Sequence, residues 1–304
     1  MEEKIVKENI KEIVKENMQD KLKKLTEELE RTVQQFMSGE KYMAFLSSMA
    51  KFHKFSLNNQ ILIAMQKKDA TLCASYGAWK KNFGRYVKKG EEGIRIICPA
   101  PFKKKISRKV IDEKTGKPEL MEDGSFKKEI VEETVMRYTV GYVWDISQTS
   151  GEPLPEIVQP LDGDLDDDLK KVKKAILQIC PVPVSFKPIV GETFGYYKTD
   201  TKEIVVDSTI SEKDSLTTII HEMAHAIMHN ADAPGYKLSS MTKEVQAESV
   251  CYIVSKYFGL DTSQFSFGYI ADWSSTRKTP ELKESLEAIR NTANDIIAKV
   301  EKIL

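Results

Sequence analysis

Apolar residues recur every three or four positions at Ile5, Ile10, Val14, Met18, Leu22, Leu25 and Leu29, in a background rich in Glu and Lys. That spacing predicts one long helix or two shorter ones over residues 1–37. A second helix is expected over 41–53 and a third from Ser56, carrying Leu57, Ile61, Leu62, Ile63 and Met65. The pattern then turns to strand at GIRIIC (93–98), which Pro99 and Pro101 end. A long ribbon follows: Lys105–Ile111 runs out, EKTGKP and the Asp-Gly pair of MEDGS turn, and TVMRYTVGYVW (134–144) returns. Residues 147–164 hold three Pro and two Gly without periodicity and read as a linker. Beyond them, Asp164 and Asp166–Asp168 open a helix that continues into Lys170, Lys171, Lys173 and Lys174, an order that suits the helix dipole. Strands are expected at 182–189 and 203–207, and helices at 212–230, 242–258 and 280–303. The fold class is therefore α+β. Residues 1–146 are expected to form a helix-plus-β-ribbon domain and 165–304 a second domain, joined by 147–164.

The net charge is zero, with 46 basic and 46 acidic residues, but the charges are segregated. Residues 1–150 carry 29 Lys/Arg against 22 Asp/Glu, and residues 41–110 carry 16 against 3. A front half of this kind is expected to meet a polyanion. No apolar run is long enough to span a membrane, and the charged N-terminus lacks a signal core. Cys73, Cys98, Cys180 and Cys251 form no CxxC and read as reduced, buried thiols. A cytoplasmic protein is expected.

The helix over 212–230 contains His221-Glu222-Met223-Ala224-His225. Residues at i and i+4 share a helix face, so two imidazoles can grip one Zn²⁺ at about 2.0–2.1 Å. Glu222 then stands beside the ion as a general base. Leu216, Ile219, Ile220, Ala224 and Ile227 make the helix a buried one, where two His and a Glu need partners. His229 lies two turns from His221, about 12 Å along the axis, too far to share one ion with both other histidines on a straight helix. The third ligand is therefore expected to be a carboxylate from a later helix. Glu244 gives HExxH-x18-E, a gluzincin metalloprotease spacing, with Glu248 in the place of the acid that hydrogen-bonds a ligating His. The opposite assignment of the two glutamates stays open, and Asp207 and Asp232 are weaker candidates. Tyr196, Tyr197, Tyr236 and Tyr252 are candidate oxyanion donors.

The front half interleaves cations, amides and rings. Lys54, Asn58, Asn59, Gln60, Tyr76, Trp79, Lys80, Arg85, Lys88, Lys89 and Arg95 are the candidate nucleic-acid contacts. Cations track phosphates and rings stack on bases in single-strand binders.

The stretches FSLNNQILIAMQ, ASYGAWKKNFGRYVKKGEEGIRIICPAP and VWDISQTSGEPLP resemble the N-terminal single-stranded-DNA-binding domain of ArdC-type antirestriction proteins. IIHEMAHAIMH and KEVQAESVCYIVSKYFGLDTSQFSFGYIADWS resemble the zincin metallopeptidase domain paired with it, related to ImmA/IrrE metallopeptidases. The resemblance implies a mobile-element protein that binds single-stranded DNA, protects it from restriction, and holds metal on His221, His225 and Glu244. Three functional readings follow. One is a DNA-guided zinc peptidase acting on a DNA-bound protein. Another is a DNA-binding shield with a structural metal. The third is a regulatory protease that cleaves a repressor.

Overall fold

The computed structural model describes residues 20–112, 115–152, 167–191, 193–260, 262, 265 and 267–304. Residues 1–19, Asp164 and Asp166, and most of the expected linker lie outside them. Helix α1 covers 20–33 of the predicted N-terminal helix, followed by a 3-10 turn at Gln34–Phe36. Then come α2 (Gly39–Lys51), α3 (Leu57–Gln66), β1 (Cys73–Ala74), α4 (Tyr76–Phe83), β2 (Arg85–Val87) and β3 (Ile94–Pro99). The ribbon is β4 (Phe102–Lys109) and β5 (Lys128–Val135), and β6 (Tyr138–Asp145) and β7 (Thr149–Gly151) follow. The rest is α5 (Asp167–Ile179), β8 (Val184–Lys187), β9 (Gly195–Lys198), β10 (Glu203–Asp207), α6 (Glu212–Met228), α7 (Ser240–Tyr257), α8 (Ile270–Ser275) and α9 (Thr279–Glu301). Among the described residues, no helix is long and apolar enough to cross a membrane. All four cysteines are free; Cys73 and Cys251 are buried, while Cys98 and Cys180 are only half-buried.

Two compact units emerge, along a different line from the division expected at 147–164. One comprises the described residues within 20–26 and 96–141, the other those within 27–95 and 142–304. In the first, β4 and β5 pair antiparallel over eight residues, from Phe102 opposite Val135 to Lys109 opposite Lys128. The basic strand FKKKISRK thereby meets an acidic one. Lys104 faces Glu133, and Lys103 and Arg108 pair with Glu132 and Glu129 at 3.6 and 3.2 Å. A few of the basic residues counted over 41–110 are thus faced by glutamates of a strand outside that window.

The second unit is cut as it is because the front helices bury their apolar faces on the back ones. Tyr42, Phe45, Leu46 and Met49 of α2 are all at most 1% exposed. Tyr42 Oη lies 2.9 Å from Ser249 Oγ of α7. From α9, Arg290 Nε donates to Phe55 O (2.9 Å) and Asn294 Nδ2 to His53 O (2.7 Å). A small sheet of order β8-β10-β9 has β8 parallel and β9 antiparallel to β10. Gly195 opens β9 because a Cβ there would stand 2.6 Å from Thr218 Cγ2 of α6 and 2.8 Å from Val205 O. Only glycine lets this edge strand lie against the helix that carries the HExxH residues.

Candidate metal centre and nucleic-acid face

Helix α6 starts at Ser211, whose hydroxyl accepts from the Asp214 amide at 3.1 Å. Leu216, Ile219, Ile220, Met223 and Ala224 point inward and are fully buried. His221, Glu222 and His225 are half-buried on the remaining face. Helix α7 is capped likewise by Ser239, and Val245 and Ala247 bury it against its neighbours while Glu244 projects, 58% exposed.

His221 Nε2 and His225 Nε2 are 3.1 Å apart. Glu244 straddles them, with one carboxylate oxygen 3.4 Å from each Nε2. Among the described residues these three form the cluster able to hold a metal ion. Tetrahedral ligands about 2.0–2.1 Å from an ion stand about 3.3–3.4 Å from one another. The observed separations fit that set, with three of its corners supplied by the described residues.

Electrostatics sharpen the arrangement. Burial drives the Glu222 carboxyl above the ordinary carboxylate range, partly offset by His221, His225 and a backbone hydrogen bond from Tyr197. A hydrogen bond from His221, with His225 beside it, holds Glu244 well below that range. Burial pulls His221 down, but the bond to Glu244 and the charges of Glu222, Glu244 and Glu248 outweigh it, and the net shift is upward. Glu248 accepts from Tyr269 Oη and acts on His221 through its charge. This departs from the expected hydrogen bond to a ligating His. The third-ligand alternatives are engaged elsewhere: Asp207 accepts from Thr209 N and Oγ1 (2.9 Å each), and Asp232 pairs with Lys202 at 3.2 Å.

His229 ends α6. Its Nδ1 lies 3.0 Å from His225 Nδ1 and its Nε2 lies 2.9 Å from Gln246 Oε1. Burial, with the charges of His225 and Lys243, brings the His229 imidazole down to about 4 despite the Gln246 bond. Its folded value is below the unfolded one, so the unfolded chain binds a proton that the folded chain refuses. The metal-free protein should therefore lose stability as pH falls from about 6.5 to about 4. Urea titrations across that window measure this, and His229→Gln should flatten the slope.

Of the tyrosines, Tyr252 is buried and hydrogen-bonded to Thr262 and Ser47, a core role. Tyr196 and Tyr236 are exposed, and Tyr197 contributes its backbone to Glu222. Sequence reasoning missed Tyr269. It sits just before the six-residue α8, too short to show periodicity.

The nucleic-acid candidates divide. Lys54, Tyr76, Lys80, Lys88, Lys89 and Arg95 are exposed and Asn58 is half-buried. Trp79 is a correction: it is 0% exposed and its indole N–H donates to Trp144 O at 2.8 Å, so no base can stack on it. Asn59 and Gln60 are also corrections; both are buried, and Gln60 Nε2 donates to Phe52 O at 2.9 Å. Arg85 spends its guanidinium on Thr149 Oγ1 and O and on the Gly151 and Glu152 carbonyls, which holds β2 to β7. In place of Trp79, the structure offers the half-buried Trp144, with Tyr76 and Tyr142 at ring centroids 5.9 and 6.4 Å. Tyr76 and Tyr142 are 56% and 47% exposed. This row was hidden because Tyr142 and Trp144 belong to a strand read as ribbon.

Residues 8–140 match the family model of the N-terminal domain of anti-restriction factor ArdC. The front of the chain is thus similar to the N-terminal domain of ArdC. An uncharacterised Bacillus anthracis protein, pXO2-81, is 29% identical over 301 residues, which cover 88% of this chain and 49% of that protein. The chain thus spans about half the length of this curated relative. Crystal structures of the antirestriction ArdC protein from plasmid R388 are also similar, in metal-free and Mn(II)-bound forms. They are 18% and 15% identical with TM-scores of 0.46 and 0.45, each match covering 82% of this chain and 84% of that one.

Proposed function

We propose that this protein joins a single-stranded-DNA-binding face to a metal-dependent, gluzincin-like peptidase site, and serves a mobile element in antirestriction. The observation that carries the enzymatic part is the meeting of His221, His225 and Glu244 beside the half-buried carboxyl of Glu222. The two-imidazole, one-carboxylate donor set suits Zn²⁺ in an open, catalytic site. Such an ion, when bound, supplies Lewis acidity for a water and a peptide carbonyl. Glu222, its proton affinity raised by burial, is the group beside these donors that would accept a proton on its carboxylate and give it up again. A DNA-binding shield with a structural metal has no use for this carboxyl. Incubating the zinc-loaded protein with a DNA-bound protein and with the same protein free tests the reading. Cleavage by wild type and none by Glu222→Gln is the expected result, and no cleavage by either contradicts it.

The DNA part rests on the similarity to the ArdC N-terminal domain and on the exposed Tyr76–Trp144–Tyr142 row with Lys80, Lys88, Lys89 and Arg95. Tyr76→Ala with Tyr142→Ala in the full chain should weaken oligonucleotide binding by about 1–3 kcal/mol per lost stack. Trp79→Phe should lower the melting temperature without removing a stack. Affinity should fall steeply with salt. Fluorescence anisotropy with a labelled single strand measures the two binding effects, and thermal unfolding followed by circular dichroism measures the Trp79→Phe effect.

A further inference from the structure

We propose that His229, Gln246 and Ser285 form a hydrogen-bonded relay that fixes the tautomer of His225, leaving its Nε2 bare and aimed at Glu244 and His221. The proposal rests on the metal reading above and assigns His229 a positioning role. A neutral imidazole carries one proton, and only the other nitrogen can bind a metal. The relay decides which. The Gln246 amide is set with Nε2 donating to Ser285 Oγ at 2.9 Å and Oε1 toward His229. His229 Nε2, 2.9 Å from that oxygen, must then carry the proton. His229 Nδ1 is consequently an acceptor, and His225 Nδ1, 3.0 Å away, donates to it. The His225 proton is thereby committed to Nδ1. Its Nε2 lone pair faces His221 Nε2 at 3.1 Å and the Glu244 carboxylate at 3.4 Å. With the Gln246 amide reversed, every proton would run the other way and Nε2 of His225 would be blocked.

The surroundings hold the relay in place. His229 is 3% exposed, Gln246 4% and Ser285 6%. They belong to the end of α6, to α7 and to α9, so three helices must pack correctly before the relay closes. Gly235 completes the enclosure. A Cβ there would stand 2.4 Å from Met228 O and 3.0 Å from His229 Cδ2, so the following loop closes over His229 only because it lacks one. Such supports typically contribute about ten- to hundredfold in metal affinity.

The test uses the full-length chain. Zn²⁺ affinity is measured by competition with a chromophoric chelator for wild type, His229→Phe and His229→Gln, each checked for folding by circular dichroism. His229→Phe should bind Zn²⁺ about ten- to hundredfold more weakly. His229→Gln, which returns an acceptor oxygen to His225 Nδ1–H, should recover most of the loss. In metal-free wild type at pH 8, ¹⁵N NMR should show His225 protonated on Nδ1 and bare on Nε2. Unchanged affinity in folded His229→Phe, or a proton on His225 Nε2, would overturn the relay. If His229→Phe fails to fold, the wild-type tautomer decides alone. Wild type that takes up no Zn²⁺ would sink the metal reading, while the tautomer would still decide the relay.

Discussion

Glu222→Gln should leave one divalent ion bound per chain and cut peptide hydrolysis by about 10²–10⁴, whereas Glu244→Gln should weaken the ion itself. The two glutamates differ in where they stand. Glu244 touches both imidazoles, one oxygen to each at 3.4 Å, and its carboxyl is held strongly ionised. It is placed to share an ion with them. Glu222 is half-buried, with its proton affinity raised and a backbone hydrogen bond from Tyr197 fixing it. A group in that state suits proton transfer, a role worth about 10²–10⁴ in rate. The amide of Gln keeps the shape and the hydrogen bond but cannot take the proton. Elemental analysis of both variants, beside hydrolysis assays, separates the roles. If Glu222→Gln loses the ion while Glu244→Gln keeps it, the assignments are reversed.

A chain cut in the segment 153–166 should lose cooperative folding rather than yield two working domains. Helix α2 would expose Tyr42, Phe45, Leu46 and Met49, each now at most 1% exposed. Burying a large apolar side chain contributes about 1.5–3 kcal/mol. Four of them approach the whole stability of a typical domain, about 5–15 kcal/mol. The bonds from Arg290 and Asn294 of α9 to the Phe55 and His53 carbonyls would go as well. Expressing residues 20–152 alone and following urea unfolding by tyrosine and tryptophan fluorescence checks this. A sharp transition with native-like chemical-shift dispersion would contradict it. DNA-binding tests therefore belong with the full chain.

The long helices α6 and α9 were legible because their apolar residues recur at helical spacing. Helix α6 was read over 212–230 and runs Glu212–Met228; α9 was read over 280–303 and runs Thr279–Glu301. Their apolar stripes are long enough to outvote local noise. Helix α4 was missed because it is eight residues long and buries only Trp79. The four-residue edge strand β9 was missed for want of length. Sequence also misjudged Trp79. A ring between Tyr76 and Lys80 looks like a stacking platform, but on a helix that short only one ring turns inward, and it is the largest one. The His-Glu-His spacing and the x18 interval brought three candidate ligands to notice because helical geometry is local. The His229–Gln246–Ser285 chain was out of reach, since it depends on how α6, α7 and α9 pack.

The central claim is that His221, His225 and Glu244 hold one divalent ion at an open site. X-ray absorption at the zinc edge of the protein loaded with one equivalent of Zn²⁺ tests it most directly. The expected spectrum shows two imidazoles and oxygen ligands at about 2.0–2.1 Å, with no sulfur, and His221→Ala abolishes it. A sulfur shell near about 2.3 Å, or an unchanged spectrum in His221→Ala, would contradict the claim.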